Sequence, residues 1–303
     1  MRSSGQTLRN PGPSWGYRVL SWARHDWPEW LYRAGIFIGV WLAVLSMPRQ
    51  RRYSKEYLTV VLRRKVRMRD CFNHFRALTE SLVFKLEFGH ALDSANFHYS
   101  NAGNPQAFAS LVQSDRPALF GTFHVGHSDL IGCMLSGFDR KVRMVREQVG
   151  NSYDLKVLER IFGQSVEFVW VNQGESMLFA LKSAAEDGVS LALQCDREEH
   201  GSRHRTFDFL GARRRFPVTI YHLAFLFKMP VVFSFGFSVG THKTEVVCSD
   251  VFEPAGDSKR EMMEAGYAHF QGVLALLESM LYVHPFAWFN FLPLNTEADD
   301  HVT

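Results

Sequence analysis

Cysteine is scarce: four residues, at positions 71, 133, 195 and 248, are scattered over 303, and none stands in a Cys-x-x-Cys pair. That spacing excludes a zinc ribbon or a disulfide framework and fits a reducing compartment. The chain also lacks a phosphate-cradling glycine-rich loop, a nicotinamide-binding fingerprint and a serine nucleophile elbow. It carries no zinc-finger, helix-turn-helix or RNA-binding motif, no internal repeat and no low-complexity tract. Residues 34–47 form an apolar run of only 14 residues without a charge. As a helix that run measures about 21 Å, short of a hydrocarbon core of about 30 Å.

What is present points to an apolar interior and a charged edge. Hydrophobic residues make up 46% of the chain, and 26 are Phe, which suits either an aromatic core or a protein that handles apolar chains. Residues 49–69 hold nine Lys or Arg against Glu56 alone, a local +8 in a chain of net +3. Such a block fits an anionic lipid surface or an acidic protein; a solvated face and nucleic acid are the other readings. Just before it come Trp15, Trp22, Trp27 and Trp30 with Tyr17, Arg18 and Arg24, a composition suited to the headgroup zone of a membrane. The expectation is a helix anchored on or dipping into a membrane, with a full span second and a buried core helix third. The cationic block behind it would keep the bulk of the chain on the cytoplasmic side.

Along the chain, residues 53–89 read as a helix, because Phe72, Phe75, Leu78, Leu82, Val83 and Leu86 recur at spacings of three and four. A loop is expected over 101–105. From 106 onward strands (118–123, 142–146, 166–171, 189–195, 230–237, 244–248) alternate with helices (129–136, 153–162, 174–187, 217–228, 258–281). That alternation predicts an α/β fold: a mixed, mainly parallel sheet flanked by helices, with an N-terminal membrane-associating helical arm. The expected organisation is a polar and aromatic segment (1–29), an anchoring helix (30–48), a basic helical arm (49–105) and one catalytic domain (106–303).

The stretch at 117–135, PALFGTFHVGHSDLIGCML, organises the rest. A strand runs into a glycine-containing turn bearing His124, His127 and Asp129, and a helix follows. Ligands of open α/β sheets collect at such strand ends. A histidine with an orienting carboxylate abstracts protons from hydroxyls or amines. Three alternatives share the same residues. His124, His127 and Asp129 could ligate a metal; Cys133 could be a nucleophile; or Ser128 or Asp129 could simply cap the helix.

Further along, Arg143 and Arg146 near the end of the second strand could bind a phosphate or carboxylate, or pair with Glu147. Asp196 ends the fourth strand. Together with Glu198 it could suggest metal or glycosidic carboxylates, but no sugar-binding context accompanies it. Arg213, Arg214 and Arg215, before a helix expected at Pro217, could contact a phosphate or a carrier protein.

FHVGHSD resembles the His-x-x-x-x-Asp block of the lysophospholipid acyltransferase superfamily. The layout around it is similar to the lipid A biosynthesis (late) acyltransferase branch. VRMVREQVGN (142–151), GVSLALQCDREEHGSRHRTFDFLGARRRFP (188–217) and MPVVFSFGF (229–237) match later blocks in order. The resemblance covers about residues 30–290. It implies that His124 is the general base and Asp129 the acid that orients it. It implies an arginine role at Arg146, or else Arg143, and a pocket-lining role for Asp196. The chain departs from the branch in having Asp129 where Glu is usual, Arg197 where Gln is usual, and WFNFLPLN at 288–295 in place of a Trp-rich ending with His-Arg-Arg.

The expected function is therefore O-acyl transfer from an acyl thioester to a hydroxyl of a lipid or glycolipid. The donor would be acyl carrier protein or acyl-coenzyme A. No cofactor or metal is expected, nor nucleic acid, and the expected location is the cytoplasmic face of the inner membrane. A metal-dependent hydrolase using His124, His127 and Asp129, and a non-catalytic lipid-binding membrane protein, are the rival readings.

Overall fold

Leu119, Phe120 and Gly121 are all buried, and so is every residue from Val231 to Phe237. Burial on both faces puts these two runs inside a sheet covered by helices on either side. The computed structural model describes residues 19, 22–24, 26–88, 96–130, 140–146, 166–170, 175–197, 203–240, 243–256 and 258–294.

Among the described residues, the chain runs through α1 (Glu29–Ser46), α2 (Pro48–Leu62) and α3 (Met68–Phe88) before the sheet begins. Strand β1 (Phe97–Gly103) and helix α4 (Pro105–Gln113) precede the central β2 (Leu119–Thr122), and a 3-10 turn follows at Ser128–Leu130. Then come β3 (Val142–Arg146), β4 (Val166–Trp170), α5 (Glu175–Glu186), β5 (Ser190–Gln194), β6 (His204–Phe209) and β7 (Ala212–Pro217). Helix α6 (Thr219–Phe227), β8 (Val231–Ser238), β9 (Thr244–Cys248) and α7 (Lys259–Val283) complete the order.

Seven strands form one sheet in the order β1-β9-β8-β2-β5-β3-β4. The five from β8 to β4 are parallel, and β9 with β1 runs antiparallel to them. The fold is α/β with a mixed, mainly parallel sheet, as expected, and the predicted strands fall within a residue or two of those observed. Helix α7 buries Met263, Phe270, Leu274, Leu277 and Leu281 on the main core, as their helical spacing predicts.

Three local expectations are corrected. The helix expected over 53–89 is broken at 63–67, where Arg63 takes a left-handed conformation (φ 50) and ends α2. Asp70 then starts α3: it accepts from the Arg67 backbone N–H at 2.7 Å, as the third helical residue of a capping box does, and Arg64 grips it through two bonds. The loop expected over 101–105 is instead the end of β1 and the start of α4. There Pro105 fits the first helical position and Asn104 caps it by accepting from the Ala107 N–H. Arg213, Arg214 and Arg215 belong to a strand, not to a helix-capping loop. Leu210 (φ 52) and Gly211 (φ 69) form a two-residue turn whose twist closes the β6–β7 hairpin. The helix expected at 153–162, and the body of that at 129–136, lie outside the described residues.

Helix α1 packs one side on α3. Val40 and Val44 meet Phe72 and Phe75, and Trp41 stacks on Phe72. Its other side leaves Trp30, Phe37, Ile38, Leu42 and Leu45 more than half exposed.

Candidate functional site

Strand register brings His124 to its partner. β2 pairs with β5 in parallel, Thr122 opposite Gln194. The Cys195 N–H donates to the Thr122 carbonyl, carrying the pairing past the strand ends. Counting two residues on from Thr122 and Gln194 reaches His124 and Asp196. Side chains two apart share a face, so the two meet at the carboxyl edge of the sheet.

His124 Nδ1 lies 2.7 Å from Asp196 Oδ1, and the His124 backbone N–H donates to Oδ2 at 3.1 Å. The Trp288 indole N–H donates to the same Oδ2 at 2.9 Å. Asp196 is fully covered, while the His124 side chain remains 22% exposed. Burial would raise the Asp196 carboxyl. The facing imidazole, the Arg197 cation and the indole N–H outweigh it and hold the carboxyl at about 2. A carboxylate only accepts, so Nδ1 carries the proton and Nε2 is the basic nitrogen of the neutral ring.

Three elements clamp the turn that carries His124. From the C-terminal segment, the Phe289 N–H donates to the His124 carbonyl, and the Ala287 carbonyl accepts from Gly126. From β8, the Gly236 carbonyl accepts from the His127 N–H, and its N–H donates to Ser128 Oγ. From α3, the Ser81 hydroxyl donates to the Gly126 carbonyl at 2.6 Å. Gly126 must be glycine here: its φ is +45, and a Cβ would stand 2.2 Å from the Gly236 carbonyl oxygen.

The remaining predicted residues are distributed around this centre. Asp129 sits in the 3-10 turn just after His124, with its side chain outside the described residues. His127 is buried, stacks on Phe84 and bonds Thr244 Oγ1 through Nδ1 at 2.7 Å. Among the described residues no three His, Cys, Asp or Glu side chains gather to hold a metal. Cys133 and Glu198 lie outside the described residues.

Strand β5 separates β3 from β2, so the two arginines of β3 are not on the strand next to His124. Arg143 aligns with Leu191 near the amino end of the sheet and binds Glu167 at 2.7 Å and Asp187 at 3.5 Å. Arg146 ends β3, on the carboxyl edge, and its side chain is outside the described residues. Arg214 is buried and ties its own hairpin by donating to the carbonyls of Phe209 and Leu210. With Arg215, Arg197, Asn290 and Leu292 it lines a cleft of about 200 Å³ that reaches Asp196 and Trp288. Arg213 is exposed and lines a larger groove between the hairpin and α7.

Sequence reasoning did not single out Trp288. It carries no motif, and its one polar atom acquires meaning only where the chain's end crosses the strand edge. The pairing of Asp196 with His124 was implicit in the strand alignment but needed the strand order. No protein-family model matches the chain, and no curated protein matches it. Among solved structures, the chain is similar to the 1-acyl-sn-glycerophosphate (LPA) acyltransferase PlsC from Thermotoga maritima, at 14% identity and a TM-score of 0.37, over 80% of this chain and 95% of that one.

Proposed function

We propose that this protein is a membrane-associated O-acyltransferase that moves a fatty acyl group from an acyl thioester to a hydroxyl of a lipid acceptor. The observation that carries this reading is the partly exposed His124 with Nδ1 held by the buried, ionised Asp196. The four sequence blocks in family order support it.

In the proposed reaction, His124 Nε2 takes the acceptor's hydroxyl proton as the oxygen attacks the thioester carbonyl. The tetrahedral oxyanion collapses, the C–S bond breaks, and the imidazolium returns its proton to the departing thiolate. The products are an ester and a free thiol. Asp196 keeps the ring in the right tautomer and stabilises the imidazolium, worth together with the base roughly 10²–10⁴ in rate. In this proposal Asp129 keeps the orienting role the resemblance assigns it, as a second carboxylate serving the same imidazole. Arg146 serves an anionic group of either substrate.

The exposed apolar side of α1 and the cations of residues 49–69 suit attachment to an anionic bilayer surface, with the acid-rich donor acyl carrier protein or acyl-coenzyme A arriving from the cytoplasm. The test is transfer by purified protein in detergent. Labelled acyl carrier protein and acyl-coenzyme A are offered in parallel with a total lipid extract. The expected result is a labelled lipid that disappears with His124→Ala. A folded protein that consumes neither donor overturns the reading.

A further inference from the structure

Trp288 opens the segment 288–295, where the chain departs from the family's ending, and it ties the Asp196 carboxylate to the packed core. Its indole N–H donates to Asp196 Oδ2 at 2.9 Å, on the oxygen that does not face the imidazole. Its backbone carbonyl accepts from His74 Nε2 at 2.8 Å, and its ring is 2% exposed. Tyr57 and Phe209 meet it edge-on at 5.3 and 5.5 Å. On either side of it, Ala287 and Phe289 bond the backbone of Gly126 and His124. The indole is thereby held by packed rings and along its own chain, and its N–H is taken up by the carboxylate.

A carboxylate attached to a single methylene can rotate about that bond. Asp196 receives a donor on each oxygen, and the donors on Oδ2 come from His124's own backbone and from Trp288. The first moves with the turn. The second is anchored in packed rings and sets the plane of the carboxylate independently of the histidine.

We infer that Trp288 is a positioning residue for the His124–Asp196 pair, a role that rests on the acyl-transfer reading only for its effect on turnover. The indole fixes the carboxylate so that Oδ1 stays on His124 Nδ1, and it takes a share of the carboxylate's charge, tempering the basicity Asp196 confers on the ring. Among the described residues, the other ionisable groups facing this arrangement are Arg197, whose cation also bears on Asp196, Arg214 and Arg215 along the same cleft, and His74 and Tyr57 around the indole; Asp129, proposed to serve the same imidazole, adds a carboxylate only in that proposal.

The test compares the protein with Trp288→Phe, which keeps an aromatic side chain and removes the donor. Histidine-labelled protein is titrated by NMR, with His124→Gln to identify the signal. Loss of the donor concentrates charge on Asp196, so the His124 titration moves to higher pH. In the transfer assay kcat falls about tenfold, the scale of one hydrogen bond to a charged group, while KM for donor and acceptor stays within about twofold. An unmoved titration, or a rise in KM at constant kcat, overturns the role. Should Trp288→Phe fail to fold, the unsubstituted protein decides: the Trp288 indole N–H resonance follows the His124 titration if the two are coupled through Asp196, and a resonance blind to it rejects the inference. Both titrations are read whether or not transfer occurs, so failure of the acyltransferase reading is told apart from failure of this one.

Discussion

His74 Nε2 donates to the carbonyl of Trp288, 214 residues away, at 2.8 Å. A carbonyl only accepts, so the neutral ring leaves Nδ1 to accept from the buried Ser54 hydroxyl at 2.9 Å. One imidazole thus joins α2, α3 and the segment that carries the indole to Asp196.

That imidazole is an acid-sensitive joint. Burial, opposed only in part by the Trp288 carbonyl, pushes His74 down from 6.5 to about 4. Above the unfolded value both states are neutral and the stability is fully present. Between pH 6.5 and 4 the unfolded chain takes up a proton that the folded one refuses, and about 3 kcal/mol is lost. Denaturant melts at pH 7 and pH 4.5 should show that slope. His74→Gln, which cannot titrate, should flatten it, leaving the smaller contributions of His222, His269 and His284, which are lowered in the same direction.

Asp196 also loses stability as pH falls, but in a lower window, because its folded value lies far below neutrality. Held at about 2 against an ordinary 3.8, it contributes about 2 kcal/mol that is present above pH 4 and lost only as pH falls towards 2. Loss of activity at mildly acid pH is therefore not protonation of Asp196. Asp196→Asn should lower kcat by roughly 10²–10⁴, since an amide can donate to Nδ1 and favour the wrong tautomer. Rate profiles across pH 4–9 for both proteins check this; an Asn variant with more than half the original kcat would remove Asp196 from the mechanism.

Gly126→Ala should be far more harmful than its single methyl suggests. The methyl would meet the Gly236 carbonyl oxygen at 2.2 Å in a left-handed backbone. Left-handed strain alone costs about 1–3 kcal/mol, and relieving the contact pushes His124 off the strand edge. Thermal melting and transfer activity should both drop. Gly188→Ala is the control: it shares the left-handed backbone (φ +69) but has open space around its Cβ, so it should show the strain and spare the activity.

Replacing Leu42 and Leu45 by Gln should detach the protein from vesicles without unfolding it, because both side chains are exposed on α1 and take no part in its packing on Phe72 and Phe75. Flotation with vesicles of anionic lipid measures this. Raising salt should weaken binding of the unsubstituted protein, and do so less steeply for one whose cations at 49, 52 and 55 are removed. Equal flotation of the Gln variant would put the bilayer elsewhere on the surface.

Much of the architecture was legible along the chain because it is local. Runs buried on both faces announced the strands, and the period of α7 announced its core side. The missed hairpin shows where local reading stops. Arg213, Arg214 and Arg215 look like a solvated cationic loop until Leu210 and Gly211 both turn left-handed, after which alternate residues face opposite sides. Likewise the three-and-four spacing of Phe72 to Leu86 belongs to α3 alone and carries no information on residues 53–67, where the Arg63 backbone ends α2.

By itself the sequence determined the parallel strands, the glycine turn after β2 and the presence of His124 at its exit, since apolar runs and a required left-handed glycine act within a few residues. The tertiary structure added what lies beyond that reach: Asp196 beside His124, and the groups that hold this carboxylate. β5 inserts between β2 and β3, so a carboxylate 72 residues away lies beside His124. The C-terminal crossing then delivers an indole 92 residues beyond that carboxylate. Strand order and chain crossing are set by the packing of the whole sheet, and no local pattern encodes them.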